Sequence, residues 1–238
     1  MRQIAFVTIL MLSLAIGAAA ISIYEIQYSV SPGVDNSYPS QYVGQEVSLE
    51  GIVTATNYRG GGFFISESIS GPWRGILVLD RRNNPGIGDK VLLRGRVSES
   101  FGMTCIQDIS SFRIIDRNLP LPQPVIVTTG QLSRSDEAEV YEGVLVRVLS
   151  SSSSSSRVKQ GKFKITDGSG QCSVIMGGFS DQRSHSPAVG TQYSSLTGIV
   201  IFGYSEFALH PISQMDVQVQ SPVSTQNRSW GRIKSIYK

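Results

Sequence analysis

Histidine is scarce in this chain, with two copies among 238 residues. Neither His185 nor His210 has metal-ligand spacing to a cysteine, an aspartate or the other histidine. Nuclease and phosphoesterase sites need clustered acids and histidines to hold metals and to move protons. We therefore expect a protein that is not an enzyme and that holds no metal and no cofactor.

Cysteine is equally scarce, and its two copies are Cys105 and Cys172. They fall in different halves of the chain and in non-equivalent positions of the repeat described below. Export would permit a disulfide bond between them. The alternative is two small buried side chains, and the sequence leaves both open.

A basic surplus is absent from most of the chain, although the net charge is +3. Setting aside Arg2 and the four cations of the last eleven residues leaves 16 basic residues against 18 acidic ones. Domains that grip a phosphate backbone usually carry a basic surplus. Any contact with nucleic acid must therefore depend on a local patch.

Long apolar runs are absent beyond the first 20 residues. The start of the chain has a positive Met1-Arg2-Gln3, an apolar run from Ile4 to Ile16, and the small residues Ala18 to Ala20. This pattern predicts a signal peptide over residues 1–20 and an exported protein, whether secreted, periplasmic or at the cell surface. The alternative is an uncleaved N-terminal anchor.

A short motif is written twice in the chain. Gly61-Gly62-Phe63-Phe64-Ile65-Ser66-Glu67 returns one hundred residues later as Gly161-Lys162-Phe163-Lys164-Ile165-Thr166-Asp167. Both copies alternate as strands do. The residues that match, Phe63 and Ile65 with Phe163 and Ile165, should face a core. Phe64 and Lys164 should face outward.

The neighbouring sequence repeats in the same order. Short strand patterns separated by Gly, Asn and Pro turns predict five strands in each copy, with a bend at Gly51 in the first strand. We predict an all-β protein of two tandem five-stranded barrels. The predicted divisions are 21–116, a Pro-rich linker at 117–131, 132–217, and a polar linker with a basic amphipathic tail at 218–238.

The first unit resembles a known family in four stretches. They are Glu50-Gly51-Ile52-Val53-Thr54-Ala55, Gly61-Gly62-Phe63-Phe64-Ile65, Trp73-Arg74-Gly75-Ile76-Leu77-Val78, and Gly88-Asp89-Lys90-Val91-Leu92-Leu93-Arg94-Gly95-Arg96-Val97. They resemble the OB-fold domains attached to bacterial secreted and cell-surface nucleases and phosphoesterases. The resemblance implies a ligand-binding β-barrel that accompanies an enzyme.

Ligands of OB barrels lie across the second and third strands, between the loop joining strands 1 and 2 and the loop joining strands 4 and 5. Aromatic rings there can stack on bases or sugars, and an arginine can pair with a phosphate or a carboxylate. The alternative is that Phe64 and Trp73 cap the barrel or pack on the other barrel. The candidates in the first unit are Tyr58, Arg59, Phe64, Trp73, Arg74 and Phe101.

The second unit carries cations in the corresponding place, namely Arg157, Lys159, Lys162 and Lys164. They could bind a polyanion, such as single-stranded nucleic acid or an acidic glycan. The alternative is a hairpin kept soluble by its lysines. The acidic run Asp136, Glu137, Glu139 and Glu142 is interpreted as a solvated face.

The end of the chain places Trp230, Ile233 and Tyr237 on one helical face, beside Arg232 and Lys234. Such a segment suits docking to a protein or a membrane surface, and the alternative is a frayed tail. Together these patterns indicate an exported, non-catalytic binding protein with nucleic acid as the leading ligand. The alternatives are a module that binds glycan or protein, and an accessory subunit of a secreted nuclease.

Overall fold

The computed structural model describes residues 20–33, 37–155, 161–177, 179 and 187–220. Most of the regular structure in these ranges is β-strand. No helix in them is long and apolar enough to cross a membrane. Residues 1–19, the bulk of the predicted signal peptide, lie outside the described part.

The first barrel follows the helix α1 (Ile23–Gln27). Its strands are β1 (Glu46–Tyr58), β2 (Gly62–Ser66), β3 (Gly75–Leu79), β4 (Lys90–Ser100) and β5 (Met103–Asp116). They close in the order β1-β2-β3-β5-β4, with β4 paired back to β1. β3 and β5 are parallel and the other neighbours are antiparallel. This is the closed Greek-key barrel of the OB fold.

The second barrel repeats this pairing with β7 (Leu145–Ser153), β8 (Lys162–Thr166), β9 (Cys172–Ile175), β10 (Gln192–Gly203) and β11 (Glu206–His210). β10 pairs with both β11 and β7, which closes the ring, and β9 is parallel to β11. The prediction of two five-stranded barrels is confirmed.

Shorter elements surround the second barrel. The segment predicted as a linker, 117–131, holds β6 (Val125–Ile126), which pairs with β7, and the start of α2 (Thr129–Ser133). α3 (Ser135–Ala138) and a 3₁₀ turn (Glu139–Tyr141) lead into β7. A second 3₁₀ turn (Gln214–Asp216) precedes β12 (Val217–Val219), which pairs with β10. The later part of the linker segment thus adds structure to the second barrel.

The repeated strand has the side-chain directions that its alternation predicts. Phe63 and Ile65 are buried inside the first barrel, and Phe163 and Ile165 are buried in the core of the second. The predicted bend at Gly51 is also present, because β1 leaves β4 and joins β2 at Ile52. A Cβ at Gly51 would lie 3.0 Å from the Cβ of Ile65, so only glycine fits at this corner without a shift.

The acid that ends each copy of the motif holds a helix in place. Glu67 accepts a hydrogen bond from the Tyr24 amide at 2.9 Å, and Asp167 accepts one from the Thr129 amide at 3.0 Å. Each of these helices also begins with a capping box, which Ser22 starts in α1 and Thr128 starts in α2. The repeat therefore includes a capped helix ahead of each barrel.

The barrels meet through the outward face of the first one. Phe64, Leu77 and Cys105 are neighbours across β2, β3 and β5, and all three are buried in one apolar cluster with the core of the second barrel. The equivalent row of the second barrel is Lys164, Ser173 and Ala208. Phe64 faces out of its own barrel as predicted, and of the two uses considered for it, packing on the other barrel is what the structure has.

Both cysteines are free and buried. Cys105 belongs to the row that joins the barrels, and Cys172 lies in the core of the second barrel. Burial raises the pKa of each thiol to about 12. Neither side chain forms a disulfide bond. Of the two alternatives that the sequence left open, the structure has the two buried thiols.

The capping role of Asp167 predicts an acid-dependent loss of stability. Burial opposes its ionisation, but hydrogen bonds from Ser169 and Thr129 outweigh that and lower the pKa of Asp167 to about 2. The stabilisation is thus present above the ordinary value of 3.8 and is lost as pH falls towards 2. Asp167→Ala should lower the free energy of unfolding by about 1–2 kcal/mol near neutral pH.

Urea unfolding near pH 7 and near pH 2.5 measures the difference in free energy of unfolding between the wild type and Asp167→Ala. This difference should be smaller near pH 2.5. Asp136→Ala is the control, because Asp136 is an exposed carboxylate on α3. An equal loss for Asp136→Ala and Asp167→Ala at neutral pH would contradict the capping role.

Candidate functional site

Three turns meet along the seam between the barrels. They are the β1–β2 turn with Arg59, the β4–β5 turn with Phe101, and the β10–β11 turn with Tyr204. Two cavities, of about 370 and 400 Å³, share Tyr58, Arg59 and Phe202 in their walls. We call the continuous depression that they form the inter-barrel groove.

The groove exists because the turns are packed tightly together. Gly102 follows Phe101, and a Cβ there would lie 2.5 Å from the ring of Phe202. The backbone of the β4–β5 turn therefore lies directly against the second barrel. Tyr58 forms an isolated bridge with Phe179, and their rings are 5.6 Å apart. These contacts fix the turns of one barrel against the other.

Two aromatic rings are presented to solvent at the groove. Phe101 is 79% exposed and Tyr204 is 92% exposed, and each begins the turn that joins the fourth and fifth strands of its barrel. Both have left-handed backbone, with φ of 55° and 56°. That conformation is unfavourable for residues with a side chain. Two large apolar groups are thus held in water on strained turns, as binding surfaces often are.

The sequence prediction included Phe101 but not Tyr204. The signal was present in the repeat, because Tyr204 follows β10 as Phe101 follows β4. Sequence reasoning aligned the strands of the two copies but did not carry the alignment into this turn.

Two guanidinium groups lie at the groove without an ion-pair partner among the described residues. Arg59 lies over the rings of Tyr58 and Phe101, at 5.3 and 5.6 Å from their centroids. Arg81 lines the first cavity, and its stem covers Gly61 so closely that a Cβ there would be 2.5 Å from the Cγ of Arg81. The nearby acids Asp80 and Glu206 are already paired, with Arg82 and Lys162.

Two predicted ligand contacts belong to a different part of the first barrel. Trp73 is buried, donates its amide to the carbonyl of Val140 at 2.6 Å, and packs its ring against Tyr28. Arg74 pairs with Glu67 and lies over the ring of Tyr24. Neither lines the inter-barrel groove, so the structure does not bring Trp73 and Arg74 together with Tyr58, Arg59 and Phe101 there. Contacts with α1 and with the turn before β7 hold them instead.

The structure describes two of the four residues of the predicted basic patch in the second barrel. Lys162 lines the second cavity and pairs with Glu206, while Lys164 is exposed on the same outward face. Burial and the charge of Lys164 lower the pKa of Lys162. Arg157 and Lys159 lie outside the described residues. So do all five residues of the tail prediction, Trp230, Arg232, Ile233, Lys234 and Tyr237.

Half of the acidic run is not a solvated face, because Glu139 and Glu142 are buried between the barrels, whereas Asp136 and Glu137 lie at the surface. Glu142 Oε1 accepts the Thr104 amide of the first barrel at 2.9 Å, and Glu99 accepts the Thr104 hydroxyl at 2.8 Å. The 3₁₀ turn that carries Glu139 runs into the seam, which removes these carboxyl groups from water. The interpretation as a solvated face is therefore wrong for Glu139 and Glu142.

Protonation is favoured in this acidic cluster. Burial, followed by the charge of Glu99, raises the pKa of Glu139 to about 8. Burial and the charges of Glu139 and Glu99 also raise the pKa of Glu142. Among the described residues, no group of three or more His, Cys, Asp or Glu side chains is placed to hold a metal ion.

The strand pairing defines the class of this protein, which is a tandem OB-fold protein. No protein-family model matches the chain, and no curated protein matches it. Among solved structures it is similar to a p202 HIN1 domain in complex with a 12-mer of double-stranded DNA, at 15% identity and a TM-score of 0.32. That match covers 75% of this chain and 94% of the other.

Two further solved structures are similar to the chain. One is an Ifi202 HINa domain in complex with 20 base pairs of double-stranded DNA, at 15% identity, 73% and 94% coverage and a TM-score of 0.30. The other is described as the molecular basis for abrogation of activation of pro-inflammatory cytokines, at 16% identity, 75% and 94% coverage and a TM-score of 0.32. Superpositions this loose transfer no ligand to this chain.

The buried acids predict a stability that falls as pH rises. The folded pKa of Glu139, about 8, lies above its ordinary value of 4.5, so between these values the folded chain keeps a proton that the unfolded chain releases. A group of this kind lowers the free energy of unfolding as pH rises through that window. Glu139→Gln should therefore be more stable than the wild type near pH 8 and closer to it near pH 5.

The quantity to compare is the difference in free energy of unfolding between variant and wild type, because His210 adds a pH dependence of its own. Burial lowers the pKa of His210, so its contribution to the free energy of unfolding rises with pH below its ordinary value of 6.5. Urea unfolding at both pH values gives the difference for Glu139→Gln. The control is Glu137→Gln, which changes a surface carboxylate two residues away that pairs with Arg134. If Glu139→Gln differed from the wild type by the same free energy of unfolding near pH 5 and near pH 8, the raised pKa of Glu139 would be contradicted.

Proposed function

We propose that this protein binds single-stranded nucleic acid along the inter-barrel groove and does not cut it. The observation that carries the proposal is the pair of solvent-exposed rings, Phe101 and Tyr204, at equivalent turns of the two barrels. Arg59 lies beside Phe101 with no carboxylate partner among the described residues. Rings for stacking next to guanidinium groups are the combination that single strands require.

The chemistry of the groove favours a single strand over a duplex. The bases of a single strand are free to stack on Phe101 and Tyr204, whereas those of a duplex are stacked on one another. Arg59 and Arg81 are available to pair with phosphates. With so few free cations, we expect a weak dependence of affinity on salt compared with proteins that neutralise many phosphates.

The cellular role rests on the sequence and is part of the proposal. The pattern of residues 1–20 favours export. The resemblance to OB domains that accompany bacterial secreted nucleases favours a role beside a separately encoded nuclease. In that role the tail near Trp230 and Tyr237 would dock to the partner or to a membrane surface. An acidic glycan could use the same rings and cations, and it serves as the competing ligand in the test.

The proposal predicts a specific loss of binding when groove residues are changed. Phe101→Leu keeps an apolar side chain but removes the ring, and Tyr204→Ala removes the ring altogether. Stacking on one base is worth about 1–3 kcal/mol, so each variant should bind about 5- to 150-fold more weakly. Arg59→Ala should weaken binding and also flatten its salt dependence.

Fluorescence anisotropy of a labelled DNA strand of roughly 12 nucleotides, within the site size of OB folds, measures these affinities. With two or three phosphate contacts, raising salt from about 50 to about 200 mM should cost the wild type about tenfold. Arg113→Ala is the matched control, because Arg113 is exposed on β5 and lines neither cavity. The proposal would be overturned if all four variants bound the DNA strand as tightly as the wild type does. It would also be overturned if the wild type bound only an acidic glycan.

A further inference from the structure

The second cavity of the groove has the make-up of a small-ligand pocket. Its volume is about 400 Å³, within the range of about 300–1,000 Å³ usual for such pockets. Its walls come from both barrels and are largely apolar, with Ile175, Met176, Ile201 and Phe202 among them. Arg59 and Tyr204 also line it. The boundary between two domains is a frequent place for a ligand site.

One polar side chain in the wall lacks a partner. His210 is 6% exposed, and its Nδ1 is closed off from solvent and makes no hydrogen bond with any described residue. Burial, followed by the charge of Arg59, lowers the pKa of His210 to about 3, so the ring is neutral near pH 7. A neutral imidazole offers one donor and one acceptor. A base edge can pair with this Nδ1 once the imidazole turns towards the cavity, and that bond would relieve an unfavourable unpaired group.

The charges of the cavity limit what it can hold. Lys162 is paired with Glu206, which also accepts the Ser173 hydroxyl at 3.1 Å. Arg59 is then the one cation of the cavity without an ion-pair partner among the described residues. A phosphate inside would face apolar walls and a neutral ring. A flat heteroaromatic ring fits better, because its faces suit the apolar walls and its polar edge can pair with His210.

We propose that this cavity receives one unstacked nucleobase of the bound strand and that His210 hydrogen-bonds the edge of that base. Binding then depends on base identity as well as on charge and stacking. This inference rests on the proposed function. Tyr204 stacks on the adjoining base and Arg59 pairs with a phosphate beside it.

Two variants change the cavity without touching the two exposed rings. His210→Phe keeps a flat ring and removes its hydrogen bonding. Gly203→Leu adds a side chain where a Cβ meets no atom within 4 Å, so it narrows the cavity without a clash. Gly203 has ordinary backbone and pairs with Glu206 across β10 and β11, which a leucine tolerates.

The test compares labelled strands of roughly 12 nucleotides made of dA, dC or dT alone, and one that alternates dG and dT. The wild type should bind its best strand about tenfold or more tightly than its worst. In His210→Phe and Gly203→Leu this ratio should fall to about twofold, because the best strand loses the most affinity. Arg113→Ala should keep the wild-type ratio.

The outcomes separate the two proposals. A wild type that binds all four strands equally, or a His210→Phe variant that keeps the full ratio, overturns base reading and leaves strand binding intact. A wild type that binds none overturns both. Imidazole ¹⁵N spectra of the wild type give a second measurement that needs no variant. The His210 resonances should move when the best strand is added, and unchanged resonances would overturn the inference.

Discussion

The structure depends on the packing of one barrel's outward face onto the other barrel. A Cβ at Gly75 would lie 2.2 Å from the carbonyl oxygen of Gly143, so the two backbones touch directly. The Gln27 amide joins them by donating to the carbonyls of Gly75 at 2.7 Å and Glu142 at 3.3 Å. Phe64 fills the apolar part of this seam, and burial of such a ring contributes on the order of 3 kcal/mol. Everything in the inter-barrel groove is positioned by this contact.

The two copies have diverged at the positions that decide how each face is used. In the first barrel, the equivalent positions form an apolar row that is buried in the seam, namely Phe64, Leu77 and Cys105. In the second barrel, Lys164 begins the equivalent row and remains exposed. The same outward row thus holds the barrels together in the first copy, whereas in the second copy Lys164 is exposed and Ser173 and Ala208 are buried. The turns of both then contribute to one groove, because the seam brings them to the same side.

The repeated alternation was enough to predict the barrels and their inward residues, since period-two patterning depends on local sequence alone. The fate of outward residues depends on what covers them, which is long-range information. Phe64 and Glu142 illustrate this. The sequence predicts a ligand contact for Phe64 and a solvated carboxylate for Glu142, yet both side chains are buried at the seam. Phe101 was predictable from its turn. His210 was not, because its role follows from a cavity that two barrels form together.

The most direct test of the account is the single-strand affinity of Gly75→Ala. The added methyl group cannot fit against Gly143, so the barrels must separate slightly and the turns that carry Phe101 and Tyr204 must shift apart. Gly86→Ala is the control, because a Cβ there has only ordinary contacts, the nearest at 3.6 Å. We predict that Gly75→Ala binds about tenfold or more weakly, a loss of about 1.4 kcal/mol, while Gly86→Ala binds as the wild type does. A folded Gly75→Ala variant with full affinity would contradict the claim that the seam builds the site.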